Sequence, residues 1–317
     1  MTVLAYRCLS STRDFEPDSR RASGLSYREA RRRGWLAKRD NGDLVEWSTY
    51  PGHFQARVWD PDYRSRWVEE VCQATVGTAF DGVMADNDVF DDYYDLDFPL
   101  EGIADTAALR AELDTFVGQV GAGLNSIGKI LVPNVAEARR EPGRWDRHSA
   151  WGGGFDECWL GWGDNHLFDE ATALAQIHEL CGPGLSIVRT PDGGGGGSTA
   201  RARFSPGLYG LAAFWVFGGG EGAYTATGHD DYSRTPWFPA LDADLGRPLG
   251  QPQRSAGAWV REFEGGLAAV VLSREERAKL ELPAGLVLPG PAGAPDGEPL
   301  PARISLPGHA GLIALRP

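Results

Sequence analysis

Over the first two thirds of the chain, short apolar runs alternate with longer stretches whose apolar residues recur at helical spacing. The runs predict strands at Val3–Leu9, Gly82–Ala85, Ile127–Val135, Gly154–Leu160 and Leu185–Thr190, with a further one near Tyr209–Phe217. Asp60-Pro61 reads as an N-cap with proline at the first helical position, and Trp67, Val68, Val71, Cys72 and Val76 follow on one face. Asp105 can cap a second helix whose stripe is Leu109, Leu113, Phe116, Val117, Val120 and Leu124. A third helix is predicted from Asp169 through Leu174, Ile177 and Leu180, with Gly182 at its C′ position. Strand–helix–strand repetition predicts parallel pairing with the helices packed outside.

Several of these strands end in polar or acidic residues: Asp86-Asn-Asp88, Asn134, Asp156-Glu157 and Arg189. A (β/α)8 barrel gathers its functional groups at the C-terminal strand ends, whereas an open doubly wound sheet favours a phosphate fingerprint after its first strand. No such fingerprint is present. The run Gly193–Gly197 has no following Lys-Ser/Thr, does not open a helix, and reads as a loop. After about Asp244 helical periodicity fades. Short β-like runs at Ala258–Glu262, Leu267–Leu272, Leu286–Leu288 and Gly311–Leu315 are punctuated by Pro and Gly. The expected organisation is a TIM-like α/β barrel over 1–244 and a small antiparallel β-domain over 245–317.

Composition narrows the function. With 42% hydrophobic and 24% charged residues the 317-residue chain is globular, and no apolar run approaches the roughly 20 residues that span a bilayer. A net charge of −13 argues against nucleic acid, and no membrane partner is expected. The cluster from Arg20 to Arg39 is broken by Glu29 and Asp40 and reads as a solvated helix face. Cys8, Cys72, Cys158 and Cys181 lack CxxC spacing and read as small buried hydrophobes. The N-terminus has no basic n-region or long apolar h-region, so the chain as written is expected in the cytoplasm. Because it enters a strand almost at once, a start lying upstream would make secretion an alternative.

Nucleophile-elbow, HExxH, P-loop and GxGxxG motifs are absent, and the six histidines have no ligand spacing, so neither metal nor cofactor is expected. What remains is carboxylates at strand ends. Asp86 lies just past an apolar strand with Asn87 and Asp88 beside it. Glu157 is expected inside a second strand flanked by Phe155, Trp159 and Trp162. Two carboxylates from different strands are the minimum for glycosidic cleavage: one protonates the leaving oxygen, the other attacks the anomeric carbon or activates water. Aromatic surroundings favour a protonated Glu157, and Asn87 with backbone donors favours an ionised Asp86. The plainer alternative is that these acids cap helices or pair with arginines, a role that suits Asp81 and Asp156 better.

Eleven tryptophans fit a sugar ligand, whose C–H faces suit flat rings. Trp35, Trp47, Trp59, Trp151, Trp159 and Trp162 lie in or beside polar loops, whereas Trp67 has core spacing. Tyr6, Asp60, Asn134 and Arg189 are candidate hydroxyl binders, each with a structural role as the alternative.

The stretches Val3–Thr12, Trp35-Leu-Ala-Lys38, Val58-Trp-Asp-Pro-Asp-Tyr63, Phe80–Asp88 and Phe155-Asp-Glu-Cys-Trp159 resemble a family of hypothetical TIM-barrel glycosyl hydrolases distantly related to α-galactosidase-like barrels. The resemblance spans roughly the first 240 residues, and Leu245–Leu249 with Trp259–Gly266 is similar to the β-domain that closes such barrels. It implies that Asp86 ends the fourth strand and Glu157 the sixth, and it favours a retaining mechanism with Asp86 as nucleophile and Glu157 as acid/base. The chain departs from the family at its start, where the first strand–helix unit of the barrel is missing. A misplaced start, a C-terminal element or a partner chain would each fill that gap. The expectation is an O-glycoside hydrolase acting on a carbohydrate or glycoconjugate, with oligomeric state left open. The rival is a carbohydrate-binding pseudoenzyme on the same barrel; a sugar isomerase or lyase would need a metal cluster or base not found here.

Overall fold

The alternating pattern becomes α/β structure in a computed structural model that describes residues 1–19, 21–88, 90–163, 166–191, 205–220, 222–228 and 237–317. The Gly193–Gly197 run and His229 lie outside the described residues. Two compact units emerge, Met1–Asp156 with Gly182–Leu185, and Glu157–Cys181 with Ser186–Pro317.

The first unit runs β1 (Leu4–Cys8), β2 (Ser11–Arg13), α1 (Tyr27–Arg33), β3 (His53–Gln55), α2 (Pro61–Thr75), β4 (Gly82–Asp86), α3 (Thr106–Ser126), β5 (Ile130–Pro133), α4 (Arg144–Ser149) and β6 (Gly153–Asp156). Strand β4 is flanked by β1 and β5, both parallel to it, with Cys8 opposite Asp86 and Ala85 opposite Pro133. Strand β6 continues the parallel order beside β5 through the Asn134–Phe155 bridge, where Val135 N donates to Phe155 O over 2.7 Å. Strands β2 and β3 form a separate antiparallel hairpin with Arg13 opposite His53. The helix signals operate as expected: Asp60 accepts from Asp62 N at 2.9 Å ahead of Pro61, and Asp105 accepts from Ala108 N at 2.8 Å. The buried stripes of α2 and α3 meet where Phe116 packs edge-on against Tyr63 and Trp67.

The second unit holds α5 (Glu170–Gln176), β7 (Leu185–Pro191) from Ser186 onward, α6 (Pro206–Ala213) and β8 (Ala223–Thr227), with β7 and β8 parallel. Beyond them come β9 (Gln253–Ser255), β10 (Ala258–Phe263), β11 (Gly266–Val271), β12 (Ala278–Glu281), β13 (Arg303–Leu306) and β14 (Ala310–Leu315). They form an antiparallel sheet in the order β14-β11-β10-β9, which takes up the predicted runs at Ala258–Glu262, Leu267–Leu272 and Gly311–Leu315, and an antiparallel β12–β13 pair. Helix α6 lies on this sheet; Gly311 permits the approach, since a Cβ there would sit 2.4 Å from Leu208 O.

Three elements differ from the sequence expectation. Tyr209–Phe217 is helical, in α6 and the π-turn Phe214–Gly218, because an apolar run buried on nearly all sides carries no periodicity to tell helix from strand. Gly182 is not a left-handed cap: α5 passes into a 3-10 turn at Ile177–Cys181, and Gly182 is small because a Cβ would meet Trp145 Nε1 at 2.2 Å. Leu286–Leu288 is not a strand, although Val287 bridges to Leu315 and Pro299. Of the cysteines, Cys8 and Cys158 are buried as expected, Cys72 is half-buried, and Cys181 is exposed.

Tryptophans recurrently lie on glycines. A Cβ at Gly24 would fall 1.9 Å from Trp67 Nε1, and one at Gly121 would fall 2.2 Å from the Trp151 ring. Interiors packed at crystal-like density leave no slack for such an atom.

A charged cluster forms around Asp88, just past β4. Asp88 and Arg144 have fully buried side chains and pair at 2.6 Å, and Arg144 also reaches Asp114 at 3.0 Å. His148 turns Nδ1 to Asp88 Oδ2 and Nε2 to Asp114 Oδ1, the latter at 2.7 Å. Only the imidazolium can donate through both nitrogens. Burial alone would push His148 down, but the Asp88 charge and the bonds to Asp114 and Asp88 raise it to about 9. Burial likewise opposes ionisation of Asp114, yet the His148 bond and charge bring it to about 2.

A folded-state His148 value above the ordinary 6.5 gives stability that is complete below pH 6.5 and is lost as pH rises through about 9. The depressed Asp114 gives stability present above 3.8 and lost as pH falls toward about 2. Urea unfolding should therefore show a stability fall of about 1 kcal/mol or more between pH 6 and pH 9.5. The His148→Gln variant should flatten that fall; an unchanged slope would remove His148 from the role.

Candidate active site

Parallel strands bring their C-terminal ends to one edge, and β1, β4 and β5 deliver Tyr6, Asp86 and Asn134 there. Tyr6 Oη donates to Asp86 Oδ2 at 2.6 Å. Asn134 Nδ2 and the Asn87 backbone N–H donate to Oδ1 at 3.0 and 2.8 Å. A carboxylate offers about four acceptor positions, so three donors leave one open. Burial, and then the charge of Asp86, push the Tyr6 phenol far above its ordinary value, which keeps it a donor. Arg13 Nη2 donates to the same phenol at 3.2 Å.

Asn87 turns the chain at a φ of 70°, a left-handed conformation that asparagine tolerates better than most residues. Its carbonyl accepts from Ser10 Oγ at 2.7 Å, its Oδ1 from Cys8 Sγ at 2.8 Å, and its Nδ2 donates to Tyr94 Oη at 2.5 Å. Asn87 is thus fastened to β1 on one side and to the Tyr94 segment on the other. Burial, followed by the Asp86 charge, raises the Cys8 thiol to about 11. Asn134 is only 4% exposed, and its Oδ1 has no hydrogen-bond partner among the described residues, which leaves an acceptor suited to a hydroxyl.

Glu157 belongs to the second unit. Strand β6 ends at Asp156, so Glu157 opens a turn rather than lying inside a strand, and its side chain is half-buried. Its carbonyl accepts from Arg189 Nη1 at 2.8 Å. Arg189 is fully buried, with Nε on Thr227 Oγ1 at 2.9 Å and Nη2 on Thr227 O at 2.7 Å. The guanidinium therefore ties the Glu157 backbone to the end of β8, a holding role where the sequence suggested hydroxyl binding.

Burial corrects some of the other sequence candidates. Trp159 is 0% exposed, with its indole N–H on Gln176 O at 3.4 Å; it is core, not a sugar platform. Asp88 is consumed by Arg144 and His148, and Asp60 caps α2. Trp35 and Trp47 are buried as well, and Trp59 is half-buried against the first unit's core. Sequence reasoning missed Arg13, Cys8, Ser10 and Tyr94. Cys8 had a signal, since residues two apart on β1 share a face with Tyr6; the others lie in loops or on a short strand without periodicity. Among the described residues no group of three or more His, Cys, Asp and Glu side chains could hold a metal ion, and no helix is long and apolar enough to cross a membrane.

The sequence profile of hypothetical glycosyl hydrolase family 15 matches residues 1–267. No curated protein matches the sequence. Among solved structures, Ega3 of Aspergillus fumigatus in complex with galactosamine is similar at 14% identity and a TM-score of 0.41, over 72% of this chain and 75% of Ega3. α-L-Fucosidase isoenzyme 2 of Paenibacillus thiaminolyticus is similar at 14% identity and 0.42, over 72% of this chain and 34% of the fucosidase. The maltogenic α-amylase AmyB of Thermotoga neapolitana is similar at 10% identity and 0.49, over 100% and 78%.

The thiols give a direct check on this geometry. Brief iodoacetamide treatment of the folded chain should modify Cys181 and spare Cys8, whose thiol is buried and raised to about 11. Peptide mass mapping showing Cys8 alkylated as fast as Cys181 would mean that the end of β1 is open.

Proposed function

For a chain that belongs to hypothetical glycosyl hydrolase family 15 and is a glycosidase, we propose a two-carboxylate, retaining hydrolysis of an O-glycosidic bond, with Asp86 as nucleophile and Glu157 as general acid/base. The observation that carries the assignment is the hydrogen bonding of Asp86. Tyr6, Asn134 and the Asn87 N–H fix the carboxylate and leave one acceptor position for an incoming carbon.

In the first step Asp86 forms a bond to the anomeric carbon as the glycosidic bond breaks. The Glu157 proton passes to the leaving oxygen, giving a glycosyl ester on Asp86. In the second step the Glu157 carboxylate takes a proton from water. The oxygen of that water attacks the anomeric carbon, the ester bond breaks, and Asp86 and the protonated Glu157 are restored with configuration retained. Tyr6 acts through Asp86 as a positioning residue, with Arg13 holding the phenol in turn. Arg189 positions the Glu157 backbone. Asn134 Oδ1 accepts a sugar hydroxyl. The proposal extends to architecture: a (β/α)8-type barrel over 1–244 followed by a β-domain over 245–317. No metal takes part, so turnover should survive EDTA.

Asp86→Asn should lower turnover of every substrate by at least about 1,000-fold. Glu157→Gln should spare the first step for aryl glycosides with good leaving groups, and added azide should restore the second by forming a glycosyl azide. Tyr6→Phe, which removes a hydrogen bond to a charged group, should lower kcat by about 10–100-fold with little change in KM. Proton NMR of the first-formed product reads the stereochemistry. Inverted configuration would reassign Asp86 to activating water, and near-full activity of Asp86→Asn would remove it from the chemistry altogether.

A further inference from the structure

The hairpin that supplies Arg13 also carries aromatic side chains that the reaction above does not use. Trp47 and Tyr94 stack with centroids 3.7 Å apart and planes within 3°, and His53 stacks on Trp47 at 5.7 Å. Tyr50 stands edge-on to Trp47, His53 and Tyr94, and Phe15 stands edge-on to His53 at 5.4 Å. Trp47 forms the base: it is 3% exposed and its indole donates to Gln55 Oε1 at 3.0 Å. The outer rings face solvent, Phe15 at 61% and Tyr50 at 46% exposure. Leaving large aromatic faces in water forgoes their burial free energy unless a ligand covers them.

Two connections tie this floor to the carboxylate. Tyr94 Oη is bonded to Asn87, whose N–H donates to Asp86. Arg13, two residues before Phe15, donates to the phenol of Tyr6, which donates to Asp86. The rings and Asp86 thus share their supports. The rim is acidic. Glu46 accepts from the Gly52 N–H at 2.6 Å, Asp95 accepts from Ser48 Oγ at 2.7 Å, and Asp14 and Phe15 both crowd Gly52. Arg13, a cation near this rim, is paired with Glu16 at 3.0 Å.

We propose that Phe15, Tyr50, His53 and Tyr94 form a stacking subsite beside Asp86 for a pyranose unit of an oligosaccharide chain that is neutral or amino-bearing and not uronate-bearing. Ring faces take the C–H face of the sugar. The rim carboxylates accept its hydroxyl or ammonium protons and repel a second carboxylate at the same edge. The subsite deepens the glycosidase reading by making the substrate a chain rather than a single glycoside, and it rests on that reading only for its relation to the reaction.

The experiment is titration calorimetry on the full chain carrying Asp86→Asn, so that binding is read without turnover. Maltohexaose, cellohexaose and a chitosan hexamer serve as probes against an oligogalacturonate hexamer. At least one of the first three should bind while the oligogalacturonate does not. Tyr50→Ala and Phe15→Ala should each weaken that binding by about 10-fold, and Tyr50→Trp should preserve it. Both positions are solvent-exposed, and unchanged thermal melting verifies the fold of each variant. The subsite is overturned if none of the three probes binds, if the alanine variants bind like their parent, or if oligogalacturonate binds best. A probe that binds through Tyr50 and Phe15 but is never cleaved by the unsubstituted chain would overturn hydrolysis and keep the subsite; cleavage of these chains indifferent to Tyr50→Ala would do the reverse.

Discussion

A half-buried carboxylate has to be given hydrogen-bond donors, and around Asp86 those donors come from three neighbouring strand ends. The register of β1 on β4 does this work. With Cys8 opposite Asp86, Tyr6 and Cys8 face the same side of the sheet, one reaching the carboxylate and the other reaching Asn87. A slip of one residue would turn both away, because successive side chains alternate across a strand. On the other flank, Asn134 N donates to Ala85 O at 2.8 Å, which fixes the residue whose amide then meets Asp86. The left-handed turn at Asn87 completes the arrangement by aiming its own N–H back at the carboxylate it follows.

Most of this framework was legible from the residues. Strands β1, β4, β5 and β7 and the capped helices α2 and α3 follow from apolar runs bounded by Asp, Pro and Gly, and Asp86 and Asn134 sit where a polar residue ends such a run. The failures share a cause. Local pattern reports which residues are apolar, not which direction they face once three-dimensional packing is complete. Tyr209–Phe217 reads as a strand because it is apolar without interruption, and it is a helix for the same reason, being enclosed nearly all round. Trp35, Trp47 and Trp159 stand in polar loops yet turn inward, since a tryptophan gains more by burial than a loop loses by following it. Glu157, expected inside a strand, falls one residue beyond the end of β6.

What the sequence withholds entirely is convergence over long separations. His148 lies 60 residues from Asp88 and 34 from Asp114, and nothing local marks the three as a set. The same holds for Phe15, Tyr50, His53 and Tyr94, drawn from two turns of a hairpin and a distant loop. These two assemblies differ in kind. In the first, each charge is answered by another of the same cluster. The second leaves the rings of Phe15 and Tyr50 exposed to solvent.

The seating of tryptophan rings on glycines has a hereditary consequence. Gly24 with Trp67, Gly121 with Trp151, and Gly182 with Trp145 are pairs in which one member's missing side chain is the other's bed. Neither can drift independently across a lineage. A descendant that acquires alanine at Gly24 must surrender the indole at 67 in the same stroke, and a smaller residue at 67 releases position 24 to vary. Related chains should therefore inherit glycine and tryptophan at these positions together or lose them together. Those linked losses would trace the packing of the first unit in sequences too divergent for any single residue to be recognised.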